Sequence, residues 1–177
     1  TVLSVLGEVV TSALAAYAFS KINFKGREII FLIYLSTLAF PVQMMLIPRF
    51  VLFKVLGLYN THAALILPGM FTAFGTFMLR QFFMSIPEEL SSAAKIDGAG
   101  HFTVFSKIVV PLSTSAISAL IIFQFVSSWN EYESALVYIR SKELATIPLG
   151  LNFFRDENSS SYGAILAASV CSLIPIF

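Results

Sequence analysis

Hydrophobic positions along this chain fall into long, nearly uninterrupted runs. Five stand out: about 2–20 (VLSVLGEVVTSALAAYAFS), about 29–48 (IIFLIYLSTLAFPVQMMLIP), about 63–83 (AALILPGMFTAFGTFMLRQFF, with Arg80 at its edge), about 108–128 (IVVPLSTSAISALIIFQFVSS) and one that opens near Tyr162. A helix that crosses the hydrocarbon core needs about 20 mostly apolar residues. Each run reaches or approaches that length. Helices are the expected form, because in lipid each satisfies its own backbone hydrogen bonds. The alternating pattern of a membrane β-barrel is absent. The runs therefore predict an all-α membrane protein, a polytopic helical bundle.

Four polar segments separate the runs. KINFKGRE (21–28) is short and basic, 49–62 is short and mixed, and 80–107 and 129–161 are long and polar. The cluster of Lys21, Lys25 and Arg27 favours the cytoplasm for the first of these. Alternation then puts 80–107 inside, and 49–62 and 129–161 outside. Lys and Arg divide six inside against five outside, which is weak support. Trp129 at a predicted outer boundary suits an interfacial aromatic.

Composition agrees with a lipid solvent: 57% of residues are hydrophobic and 12% charged, against about 25% charged in soluble domains. A net charge of +1 argues against nucleic acid as a partner. Cys171 is the only cysteine, so no internal disulfide forms. His62 and His101 are isolated, with no ligand spacing for a metal and no nucleophile–base set. The chain opens and closes inside apolar runs, so 1–177 is expected to be one transmembrane domain truncated at both ends.

The stretch SIPEELSSAAKIDGAGHFTVFSKIVVPLS (85–113) is the most unusual. Ser85 and Glu88 fit a capping box, with Pro87 in the first turn. A helix is expected over about 86–96, a turn at Asp97-Gly98 and a second short helix over 101–107. Pro111 would follow as the chain re-enters the membrane. Ala93 and Ala94 are small enough to let another backbone approach, and Gly98 permits a tight bend. Ile96, Phe102, Val104 and Phe105 would be poorly solvated in water, which suggests a docking surface for a protein.

These residues resemble the cytoplasmic loop of importers of the ATP-binding-cassette (ABC) type, whose pattern is E-A-A, three residues, Gly, nine residues, Ile, any residue, Leu, Pro. Here Ala93-Ala94 precedes Gly98 by the same interval, and 99–107 lead to Ile108 and Pro111. Ser92 replaces the usual Glu, and Val110 the usual Leu. AAYAFSKINFKGR (15–27), PVQMMLIPRFVLFKVLGLYNT (41–61), FMLRQFFMSIPEEL (77–90) and WNEYESAL (129–136) extend the similarity over nearly the whole chain. It is closest in kind to the carbohydrate-uptake branch, of the maltose-permease G type.

The resemblance implies the type I importer permease fold of six spans, of which this chain would hold the second to fifth and part of the sixth. It implies a multi-pass subunit of the bacterial cytoplasmic membrane that passes a sugar or sugar-like solute by alternating access. Implied partners are a cytoplasmic ABC ATPase dimer, a second homologous permease subunit, an extracytoplasmic solute-binding protein and the lipid bilayer. ATP and Mg would be bound by the ATPase, with no cofactor in this chain. No G-x-x-x-x-G-K-[ST] sequence is present, so this chain is not expected to be an enzyme.

Ala93, Ala94, Asp97, Gly98, Ile108 and Pro111 are the implied coupling residues. Asn130, Glu131 and Asp156 in the outer loop are candidates for contact with the binding protein, beside Asn152, Glu157 and Asn158. Glu8, Gln43 and Gln124 lie inside apolar runs. An ionisable residue at such depth is a functional candidate, or, for Glu8, one that sits near an interface. Gln43 and Gln124 could line a pathway, but ties between helices are the commoner use.

Three alternatives stay open at this level. A permease of the same type could carry a solute other than a sugar. An ion-coupled secondary transporter would need discontinuous helices and ionisable groups near the midplane, for which Glu8 is the one candidate. A non-transporting scaffold would leave the register from Ala93 to Pro111 without purpose.

Overall fold

The computed structural model describes residues 1–154 and 162–176. In chain order the helices are α1 (Val2–Lys21), α2 (Arg27–Ser36), α3 (Val42–Val55), α4 (Ala63–Gly69), α5 (Ala73–Ser85), α6 (Glu88–Ile96), α7 (His101–Val104), α8 (Val110–Leu112), α9 (Thr114–Trp129), α10 (Glu133–Tyr138), α11 (Ile147–Leu151) and α12 (Tyr162–Leu173). A π-helical turn, Phe105–Val109, joins α7 to α8. No strand occurs among the described residues. Val2–Lys21 and Ala63–Ser85 are long and apolar enough to cross a membrane, and up to four spans result if each of two bent helix pairs counts as one.

The runs expected as single spans are more broken than their hydropathy suggests. Phe40 precedes Pro41 and is extended (φ −84°, ψ 118°), because a proline disfavours helical backbone in the residue before it. The run 29–48 is therefore interrupted, and α3 continues to Val55, into the segment expected to be a polar loop. The run 63–83 stops at Gly69 and restarts at Ala73. The fourth run divides at Ser113, whose hydroxyl donates to Val109 O at 2.7 Å. Side-chain bonding to the preceding turn bends helices in this way.

The chain forms two compact units: Val2–Pro41 with Gly69–Gln124, and Val42–Pro68 with Phe125–Phe177 and Thr1. In the first, α1 packs along α5. The inward face of α1 is mostly small: Ser4, Gly7, Ser12, Ala13 and Ala16 are buried with Val5, Glu8 and Tyr17. They meet Gly75, Thr76, Leu79, Arg80 and Phe83 of α5. The outward face carries Val2, Leu3, Leu6, Val10 and Leu14, all exposed. Small residues let helix backbones approach where lipid already solvates the large apolar side chains. The core of this unit also takes in Ile86, Val104, Val109, Ala116 and Leu120.

In the second unit Phe53, Ala64 and Tyr138 form one core cluster, and Ala135, Ile139 and Leu149 another. The described part of 129–161 is thus folded rather than an open polar loop. Asn60, left-handed at φ 59°, holds it in place. Its backbone N–H donates to Tyr138 O (2.9 Å). Its Oδ1 accepts from the backbone N–H groups of Arg140 (2.8 Å) and Ser141 (2.9 Å), and Nδ2 donates to Ser141 Oγ (2.8 Å).

Candidate functional site

The segment from Ile86 to Leu112 has two halves with different surroundings. The first is α6. Glu88 and Glu89 lie in its first turn and Lys95 in its last, the arrangement that suits the helix dipole. The expected capping box does not form: Ser85 ends α5 and donates to Phe82 O (2.7 Å), while Pro87 stands at the N-cap without a side-chain bond. Ser85 is taken by the preceding helix, so it cannot cap the next one.

The expected turn does form. Gly98 has φ +84°, its N–H donates to Lys95 O (3.0 Å), and Ala99 N–H donates to Ala94 O (2.9 Å). A left-handed residue that closes a helix end is the usual place for glycine. A Cβ there would meet nothing within 4 Å, so the turn faces open space. Asp97 and Ala93 are exposed beside it. Ala94 is half-buried and packs on the chain's own core, as does Ile108. The two alanines therefore divide their work: Ala94 seats α6, and Ala93 faces outward.

The expected apolar patch is reduced to two members. Ile96 is 86% and Phe102 75% exposed, on either side of the Gly98 turn. Val104 is fully buried and Phe105 partly so, both against α1 and α5. They belong to the second half, α7 and its π turn, one side of which is a seat against α1 and α5 while Phe102 stays on the outward side. Pro111 is exposed, and the helix runs through it without a break, from His101 to Leu112.

Of the polar groups inside the runs, Glu8 is buried within the helix packing, 1% exposed. Its Oε1 accepts from Thr72, whose hydroxyl in turn accepts from Gly75 N–H at 3.1 Å and so caps α5. Glu8 Oε2 and Ser12 Oγ have no hydrogen-bond partner. Thr11 donates to Met70 O (2.5 Å) in the break before α5. Gln124 donates to Gly69 O (2.9 Å), an interhelical tie, and Gln43 donates to Glu133 Oε2 (3.0 Å).

Arg80 and Glu28 were not singled out by pattern, although opposite charges flanking two apolar runs were there to be read. Arg80 Nη2 donates to both Glu28 oxygens at 2.8 Å, and Nε donates to Phe19 O at 3.0 Å. Its guanidinium lies 4.0 Å from the Phe31 ring centroid.

In the segment that follows α9, Asn130 and Glu131 make local bonds. Asn130 Nδ2 donates to Val126 O (2.9 Å), and Glu131 Oε1 accepts from Ser134 N–H (2.8 Å). Asn152 donates to the Tyr132 hydroxyl (2.5 Å). Trp129 Nε1 donates to Ser172 O (3.0 Å). Burial pushes the Tyr138 phenol above its ordinary range, and its hydroxyl donates to Leu46 O (3.3 Å). Asp156, Glu157 and Asn158 lie outside the described residues. No cluster of His, Cys, Asp and Glu suited to a metal occurs among the described residues.

An exposed helix and turn thus sit on a buried seat formed with α1 and α5, between helices apolar enough to cross a membrane. The sequence pattern of binding-protein-dependent transport system inner membrane components matches residues 8–177, and the chain belongs to that family.

It is similar to the arabinooligosaccharides transport system permease protein AraQ of Halalkalibacterium halodurans, with 35% identity over 99% of this chain and 63% of the relative. It is also similar to the sn-glycerol-3-phosphate transport system permease protein UgpE of Escherichia coli O1:K1, with 35% identity over 96% of this chain and 61% of the relative. The chain thus spans about three fifths of the length of these curated relatives. Its fold matches a solved chain of a bacterial ABC transporter involved in the import of the acidic polysaccharide alginate. The TM-score is 0.83 at 30% identity, over 99% of this chain and 67% of that one.

The all-α permease fold expected from sequence is therefore observed. The helix break beside Glu8 is a feature an ion-coupled transporter would share, but the family is one of binding-protein-dependent transport systems.

Proposed function

We propose that this chain is the greater part of a permease subunit that carries a sugar or sugar-like solute across the bacterial cytoplasmic membrane, by alternating access driven by a separate ABC ATPase dimer. In this reading α6 and the Gly98 turn face the cytoplasm and enter a cleft of the ATPase, which binds ATP and Mg. Ala93, Asp97 and Gly98 form the contact, flanked by Ile96 and Phe102, while Ala94 and Ile108 fix the segment to the membrane helices. A second homologous permease subunit completes the pathway. A solute-binding protein meets the opposite side, where Asn130 and Glu131 are candidate contacts and Asp156 a further one. ATP-driven closure of the ATPase favours one of two membrane arrangements through its differential contacts.

The observation that supports this best is the pairing of Ile96 and Phe102, large and exposed, around a left-handed turn with open space before it. Large apolar side chains held outward beside a rigid turn mark a protein contact. The names of the relatives support sugars and sugar-like solutes as the cargo class.

Two experiments on the full-length protein in its assembled transporter test the reading. A cysteine in place of Ala93 is expected to crosslink to a cysteine in the ATPase cleft. Gly98→Val is expected to insert into the membrane normally yet lose most uptake, because a β-branched residue resists φ +84°. Normal uptake by Gly98→Val, or no crosslink from position 93 in an active complex, would count against docking.

A further inference from the structure

The coupling segment is covalently continuous with α5 on one side and with α9 on the other. Its hold on α1 depends on side chains, and the aromatic ones converge on Tyr17. The Tyr17 ring meets Phe105 edge-on, with centroids 5.2 Å apart and planes at 64°. It meets His101 in the same manner at 6.3 Å and 74°, and its hydroxyl lies 3.3 Å from His101 Nδ1. Tyr17 is 5% exposed, and Val104 and Val109 are fully buried around it. One turn further on, Lys21 Nζ donates to Ile86 O at 2.7 Å, the carbonyl at which α5 gives way to the segment. The last turns of α1 thus grip both the entry of the segment and its second half.

The Tyr17–Phe105 contact, backed by the fully buried Val104 and Val109, passes displacement on, because interiors packed to crystal density compress little. His101 stands at the exposed edge of the joint. We propose that Tyr17 is a positioning residue of the transport cycle: through its contact with His101 and Phe105, movement of the coupling segment is handed to α1, so the two travel as one body. This rests on the reading that an ATPase grips α6. It adds that the route into the membrane runs through a non-covalent joint to α1 as well as along the chain into α5 and α9. α1 is also the helix that carries Glu8.

The test uses the full-length permease, assembled with its partners in proteoliposomes, and reads ATP hydrolysed per solute imported. Tyr17→Leu should raise that ratio about tenfold while the crosslink from position 93 to the ATPase persists. Tyr17→Phe, which keeps the ring on Phe105 and loses only the hydroxyl, should raise it less. Misfolding is separated by a covalent tie: in a Cys171→Ser background, Tyr17→Cys with His101→Cys should be uncoupled as free thiols. A short bismaleimide joining them should bring the ratio back to within about twofold of the unaltered protein, the usual scale on which independent changes add. A normal ratio in Tyr17→Leu with the crosslink intact, or a joined pair that stays uncoupled, would overturn the role of Tyr17 alone. Loss of the position 93 crosslink in the unaltered complex would overturn the docking reading and this proposal together.

Discussion

Glu8 and Arg80 are both ionisable and both buried where α1 packs on α5, yet their surroundings treat them differently. Arg80 has a bidentate carboxylate partner in Glu28, a carbonyl for its Nε and the face of Phe31. Its charge is neutralised and its side chain bound on three sides. Glu8 has one oxygen engaged by Thr72, while the other, with the neighbouring Ser12 hydroxyl, has no partner. Glu28 keeps 56% of its side chain exposed, so the Arg80 pair sits at the edge of the bundle. Glu8 has no such outlet. The contrast separates a strut from a group with bonding capacity to spare: Arg80 can only hold, whereas Glu8 retains the means to bind something else.

Four substitutions would break or sharpen that contrast. Gly75→Val should have the largest effect. A Cβ there would lie 2.6 Å from Ser12 Oγ and 2.8 Å from Glu8 Oε1, so α1 and α5 must separate, at about 3 kcal/mol. Thermal unfolding of the purified complex would register it as a clear fall in midpoint. Arg80→Met should cost about 2 kcal/mol in the same assay. That is below the roughly 3–5 kcal/mol of breaking a fully buried pair, because the freed Glu28 can reach water. An unchanged midpoint would show that the clamp carries no weight.

Thr72→Val removes the α5 cap and the one bond to Glu8, at about 1 kcal/mol. Its signature should be faster amide exchange confined to the first turn of α5. Glu8→Gln is the mildest and the most informative. The amide keeps an interhelical hydrogen bond worth about 0.6 kcal/mol on average, so stability should hardly move. If uptake is also unchanged, Glu8 is a structural hydrogen-bonding group like Arg80. If uptake falls at unchanged stability, its charge or proton takes part in transport.

The segment from Ile86 to Leu112 was legible in the sequence to a useful degree. The end of α6 at Ile96, the Asp97-Gly98 turn and the start of the second helix at His101 follow from local chemistry and form as expected, while α6 opens at Glu88 and the second helix runs on to Leu112. What did not follow was which way each side chain faces. Val104 and Phe105 read as a docking patch because their polarity says only that they avoid water. Their burial against Tyr17, Leu79 and Phe83 is long-range. Ser85 was misassigned for a related reason: its hydroxyl could serve the helix on either side of it, and the bond to Phe82 O won. Asn60, Arg80 and Tyr138 carried no local motif at all, since each acts on a partner dozens of positions away.

Hydropathy alone determined that this chain is built of membrane-crossing helices, because a run of apolar residues needs no knowledge of its neighbours to prefer lipid. Loop spacing alone determined the turn at Gly98, because φ +84° is a local property of glycine. Only tertiary structure decided that the small face of α1 would bury Glu8, that Arg80 would find Glu28, and that α7 and its π turn would rest on Tyr17. Each of those is a meeting of distant residues, and a hydrophobic run, solvated by lipid on every side, does not by itself say which face turns inward.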